Sequence, residues 1–171
     1  MALTRVLVDG RNVQRALERG SAPGSLPTAA LVGRLRAAFQ PPIEVELILD
    51  GHPGPTPTGR LMSGFSVVFS RHLSADAVIA ERVVDAFKWL GPVEIDSVLV
   101  ISDDREVAAH ARRHGTRVQG TAWLAAHIDA AAAAPAGRGT SIGQGRPPRT
   151  PGAAGAPRTP RTSRTSRAAK R

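Results

Sequence analysis

One α/β domain built on a parallel sheet is the fold class this sequence predicts, and three observations predict it. Short apolar runs of strand length alternate with segments whose apolar residues recur at helical spacing. The chain has 171 residues, a length suited to one ordinary domain that buries its own core. Near residue 130 the composition changes and the alternation ends.

Arg5–Val8 is an apolar run entering Asp9-Gly10, which reads as a strand running into a turn. Asn12–Arg19 reads as a short helix stopped at Gly20. In Thr28–Phe39, Leu31, Leu35 and Phe39 stand four apart, an amphipathic helix with Thr28 as its N-cap and Pro41-Pro42 as its end. Ile43–Leu49 is a strand closing at Asp50-Gly51, residues 51–64 form a Gly/Pro loop, and Phe65–Ser70 is a third strand. Ser74 caps a helix over Ala75–Leu90, with Ile79, Val83, Phe87 and Leu90 on one face. Ser97–Ile101 is a fourth strand and Asp104–His114 a helix closed by Gly115. Arg117–Gln119 is a short fifth strand, and Thr121–Ala134 a last helix with Leu124 and Ile128 inward. Strands so connected pair in parallel, with helices on both faces.

Charge divides the chain in two. Residues 1–130 hold all 14 acids and 14 of the 23 Lys and Arg, so that span is neutral. The other nine cations run from Arg138 to Arg171 with no acid among them. Residues 131–171 carry one large aliphatic, Ile142, among Arg, Pro, Ala, Thr, Gly and Ser. Such a composition cannot bury enough apolar area to offset the entropy of ordering, so a disordered tail is expected. Its cations suit phosphates without sequence preference, and would hold RNA or a ribosome near the domain. A solvated linker is the plainer reading. The absence of cysteine excludes disulfides and zinc-thiolate sites. The first residues lack a signal-peptide core, and no stretch approaches the ~20 apolar residues of a membrane helix. A soluble cytoplasmic protein is expected, its oligomeric state open.

Open parallel sheets bind ligands beyond the carboxyl ends of their strands. Here the first strand exits at Asp9, the second at Asp50, the third into Ser74-Ala75-Asp76, and the fourth into Ser102-Asp103-Asp104. Four exits thus bring a carboxylate to one edge, where mutual repulsion calls for a cation. With oxygen ligands and no thiolate, Mg²⁺ or Mn²⁺ is the consistent choice. Such ions serve phosphodiester hydrolysis.

Val6–Val13 (VLVDGRNV) resembles the opening motif of the NYN-domain nucleases, the PIN-like branch that contains the YacP-type bacterial ribonucleases. Leu49-Asp50-Gly51, Ser74–Glu81 (SADAVIAE) and Val100–Val107 (VISDDREV) agree in order and spacing, so the resemblance spans roughly residues 4–125. It implies a three-layer α/β/α domain over residues 1–130 and cleavage of RNA dependent on Mg²⁺ or Mn²⁺. By motif, Asp9, Asp76 and Asp104 become metal ligands and catalytic residues, and Asp50 matches a further acid of the YacP-type members. Asn12 orients Asp9 or a phosphate, Ser102 supports the last acid, and Arg11, a departure from the motif, is a phosphate contact or neutral surface. The doublet Asp103-Asp104 leaves the last register open by one residue, and one metal or two stays open.

Each acid also has an ordinary explanation. Asp76 suits the first turn of a helix. Asp103, with Glu106 three residues on, reads as an N-cap in a capping box. Asp50-Gly51 and Asp9-Gly10 suit turns. Turn chemistry does not explain why all four exits are acidic. His110, His114 and His127 read as surface or helix-end residues, while His52 and His72 fall in loops at the acidic edge. A G-x-G-x-x-G turn, a P-loop, the second Asp of an aspartyl phosphatase and the Lys of a phospho-receiver are all missing. The remaining rival is a non-catalytic relative that binds RNA or protein; a toxin is a narrower form of the nuclease reading.

Overall fold

The computed structural model describes residues 1–19, 26–54 and 56–133. The expected tail lies outside them from residue 134 onward. The described elements are β1 (Arg5–Asp9), α1 (Gly10–Leu17), α2 (Thr28–Ala38), β2 (Glu44–Leu49), β3 (Gly59–Met62), β4 (Phe65–Phe69), α3 (Ala75–Glu94), β5 (Val98–Ile101), α4 (Arg105–Arg113), β6 (Arg117–Gln119) and α5 (Thr121–Ala133), with a single 3₁₀ turn, Ile95–Ser97, before β5.

The sheet has six strands in the order β3-β4-β2-β1-β5-β6. Five run parallel, with Val8 opposite both Leu47 and Ile101 in the centre. The sixth, β3, pairs antiparallel with β4 at the edge, so residues 51–64 are not wholly the loop expected. Successive strand residues face opposite layers. Val6 and Val8 pack with Val13 of α1, Leu31 and Leu35 of α2, and Leu124 and Ile128 of α5. Leu7 between them packs with Ile79 and Val83 of α3 and Val107 and Ala111 of α4. The result is the three-layer α/β/α arrangement expected.

Local chemistry moves several boundaries. The Asp9 carboxylate accepts from the Asn12 backbone N–H, so α1 begins at Gly10 and absorbs the expected turn. Thr28 is the first helical residue of α2; Pro27 holds the cap position without a side-chain bond. Ser74 caps α3 as expected, accepting from the Ala77 N–H at 3.1 Å. Gly91 breaks that helix at φ 72° and Pro92 begins a further turn, so the regular part ends at Leu90. Phe87 on its face is partly exposed rather than core. The N-cap of α4 is Asp104, not Asp103, with Oδ1 accepting from Glu106 N–H at 2.7 Å and Val107 N–H at 3.1 Å.

Chain order reverses direction across β1: β2 and β4 lie on one side, β5 and β6 on the other. The carboxyl ends of β1 and β5 therefore flank the switch point where such sheets bind ligands. Gly10 lets α1 start there. A Cβ at this residue would lie 2.8 Å from the Ile48 carbonyl oxygen and press on Leu49 Cδ2. Gly10→Ala is expected to destabilise the protein by about 1–3 kcal/mol, the range for an overpacked interior, as a lower denaturation midpoint in urea.

Candidate functional site

Asp9 closes the central strand with only 2% of its surface exposed. A buried carboxylate must be compensated, and three donors do so. Asn12 gives its backbone N–H to Oδ1 at 3.1 Å and its amide to Oδ2 at 2.5 Å. Ser102, 3% exposed at the end of β5, donates its hydroxyl to Oδ2 at 2.9 Å. The same Ser102 oxygen accepts from Asn12 Nδ2 at 3.1 Å and from the Asp104 N–H at 3.0 Å. One donor and two lone pairs are all a hydroxyl has, and Ser102 uses each of them.

Above this network lies a cleft of about 310 Å³ lined by Asp9, Arg11, Asn12, Arg15, Asp50, Ser74, Asp76 and Asp104. All four acids expected at the strand exits thus meet in one depression, with Arg11 and Asn12, while Ser102 lies beneath them. Asp50 is tethered: Oδ1 accepts from the Ala75 N–H at 2.8 Å, tying β2 to the start of α3, and Oδ2 stands 3.6 Å from Arg11 Nη1. Asp76 has no hydrogen-bond or salt-bridge partner among the described residues. Although its side chain reaches solvent, its pKa is raised. Desolvation is the largest cause, followed by the negative charges of Asp9, Asp104, Asp50 and Glu106.

Among the described residues, no three acidic or histidine side chains stand close enough to ligate one ion as they are placed. The bonds above account for the spread: Asp9 turns to Asn12 and Ser102, Asp50 to Ala75, and Asp104 to its own helix. The donor set still fits a hard cation, because it is all oxygen and Asp76 carries unrelieved repulsion.

Asp103 points elsewhere. It accepts from the backbone N–H and hydroxyl of Thr121 at the start of α5, with Arg19 at 3.9 Å. The doublet is thereby split: Asp104 lines the cleft and Asp103 does not. His52 and His72 pack edge to face at 5.3 Å, and neither lines the cleft. His127 stacks on Trp123, and His110 lies beside His114. Sequence reasoning missed Arg15, whose signal was its spacing of four from Arg11 on one helical face.

No family model and no curated protein sequence matches the chain. Its structure is similar to solved structures of Rae1 (YacP) from Bacillus subtilis. One, a tryptophan-to-leucine mutant, superposes with TM-score 0.57 at 17% identity, covering 76% of this chain and 77% of that one. The other gives 0.54 at 18% identity, covering 77% and 76%. The chain therefore shares the fold of these Rae1 (YacP) structures, as the motifs implied.

Two outcomes follow from the site's electrostatics. Ser102→Ala is expected to cost about 1.5–3 kcal/mol, the worth of a hydrogen bond to a charged group, as a lower urea midpoint. Asp76 binds its proton more readily in the folded protein, so its contribution favours the fold at low pH and is lost as pH rises through the raised value. Asp76→Asn in EDTA is therefore expected to melt above the parent protein at about pH 7, with the gap closing below about pH 4, where the parent's Asp76 carboxyl is neutral both folded and unfolded. A lower melting temperature at neutral pH would contradict that electrostatic picture.

Proposed function

We propose that the protein is a metal-dependent ribonuclease that cleaves RNA endonucleolytically in the carboxylate cleft. The observation that carries this reading is the meeting of Asp9, Asp50, Asp76 and Asp104, from four separate elements, beside Arg11 and Arg15. The other three acids accept hydrogen bonds from the protein; Asp76 has no protein partner among the described residues, and neighbouring acids oppose its charge. Asp9, Asp76 and Asp104 are the residues that would hold Mg²⁺ or Mn²⁺, with Asp50 at the rim. When bound, the cation supplies charge neutralisation at the phosphate and activation of the attacking water.

The chain's own residues supply the positioning. Asn12 and Ser102 fix the Asp9 carboxylate, and Ser102 also fixes the backbone that presents Asp104. Asp50 anchors the helix start that carries Asp76. Arg11 and Arg15 offer guanidinium forks to phosphate oxygens. The substrate is RNA, met in the cytoplasm, and no described helix is long and apolar enough to cross a membrane. The nine cations between Arg138 and Arg171, with no acid among them, would associate with RNA, that of a ribosome included.

The test is cleavage of a mixed-sequence single-stranded RNA by the full chain in Mg²⁺, Mn²⁺ or EDTA. Asp9→Asn and Asp104→Asn are run beside the parent, with circular dichroism as the folding control. Asn caps helices as well as Asp does, so Asp104→Asn is expected to fold; in Asp9→Asn the new amide N–H faces a donor of the buried network, and that variant counts only where circular dichroism shows it folded. Cleavage is expected only with a divalent ion, and to fall on the order of 100-fold or more in each variant, beyond the roughly 10–100-fold that outer-sphere losses cost. Equal activity in folded variants, or none from the parent with any ion, overturns the reading in favour of a non-catalytic RNA- or protein-binding module.

A further inference from the structure

A second cavity of different chemistry adjoins the carboxylate cleft. It measures about 280 Å³, shares Arg11 and Asp50 with the cleft, and adds Gln14, Thr28, Leu49, Thr56 and Phe69. The Arg11–Asp50 ion pair, at 3.6 Å, is thus the divide between the two. Beyond that divide the described residues that line the cavity carry no charge. Gln14 presents an amide from α1, and Thr28 and Thr56 bring hydroxyls from the start of α2 and the segment before β3. Leu49 and Phe69 end β2 and β4 as the apolar part, with Phe69 only partly buried.

A phosphate would find one cation there, already shared with Asp50. An unstacked nucleobase calls for what lines this cavity: neutral polar side chains for its edge and an aromatic side chain, Phe69, for its face. A paired base in a duplex cannot present both, so the ligand class is single-stranded. We propose that this cavity is a nucleobase subsite for single-stranded RNA. It receives the base next to the scissile phosphate, the latter position resting on the ribonuclease reading. Gln14, Thr28 and Thr56 contact the base edge, Phe69 and Leu49 its face, and Arg11 at the divide holds the intervening phosphate.

Binding is tested first, without any cleavage, on the full chain in EDTA. Adenosine, guanosine, cytidine and uridine 5′-monophosphates are titrated, with ribose 5-phosphate as the baseless control. Side-chain amide and methyl NMR signals of Gln14, Thr28 and Thr56 are followed. At least one nucleotide is expected to shift these signals where ribose 5-phosphate does not. Gln14→Ala and Phe69→Leu, the latter keeping an apolar side chain in the core contact, are each expected to weaken that nucleotide about tenfold. Equal shifts from ribose 5-phosphate, or none from any nucleotide, overturn the subsite.

The cut sites in a mixed-sequence RNA are then mapped. The parent is expected to favour one base beside the cut, and Gln14→Ala and Thr28→Val to level that preference. An unaltered preference in both variants overturns the proposal. Nucleotide shifts without cleavage remove the ribonuclease reading and support the subsite, whereas cleavage without nucleotide shifts removes the subsite alone.

Discussion

A carboxylate buried at the end of a central strand imposes a demand on everything around it, and Asp9 is such a carboxylate. Its charge is met by a backbone N–H, an amide and a hydroxyl from two neighbouring elements. Meeting it brings the start of α1 against β1 and the end of β5 against both. Because the Ser102 oxygen also accepts from the Asp104 N–H, the start of α4 is set by the same network. Asp50 does for α3 what Ser102 does for α4, by holding the Ala75 N–H. The floor of the cleft is thus a set of satisfied polar groups, and its rim is a set of acids whose helix starts are fixed by that floor.

This division separates two kinds of acid by what they lack. Asp9, Asp50 and Asp104 each hold up a helix start or a strand exit. Asp76 holds up nothing of the kind and feels the charge of the other three. A fold that places a carboxylate with no protein partner among three others sets like charges against one another, and repulsion of this sort belongs where a ligand relieves it. Arg11 and Arg15 offset part of the negative charge and leave the cleft able to admit a polyanion.

The sheet and its layers were legible because apolar runs and helical spacing carry them directly. Every strand with a buried face was found, and the acids at their exits were found with it. The strand missed was β3, whose residues are mostly exposed and which holds its place by backbone pairing at an edge. No apolar pattern marks such a strand. The Asp103-Asp104 doublet was illegible for a different reason. Either residue can cap a helix, and what assigns them is Thr121, which takes the Asp103 carboxylate from 18 residues away in sequence. A partner that distant leaves no local trace. Arg15 carried a signal, its one-turn spacing from Arg11, but a surface arginine on a helix has an ordinary reading that hides it.

The central claim is that these carboxylates form a cation site. Paramagnetic broadening by Mn²⁺, followed residue by residue in the ¹⁵N NMR spectrum of the full chain, tests it most directly and needs no substrate. Broadening is expected to centre on the backbone signals of Asp9, Gly10, Asp76 and Asp104, and to disappear on that cluster in Asp76→Asn. Broadening centred elsewhere, or unchanged by Asp76→Asn, would contradict the assignment of this cleft to a divalent ion.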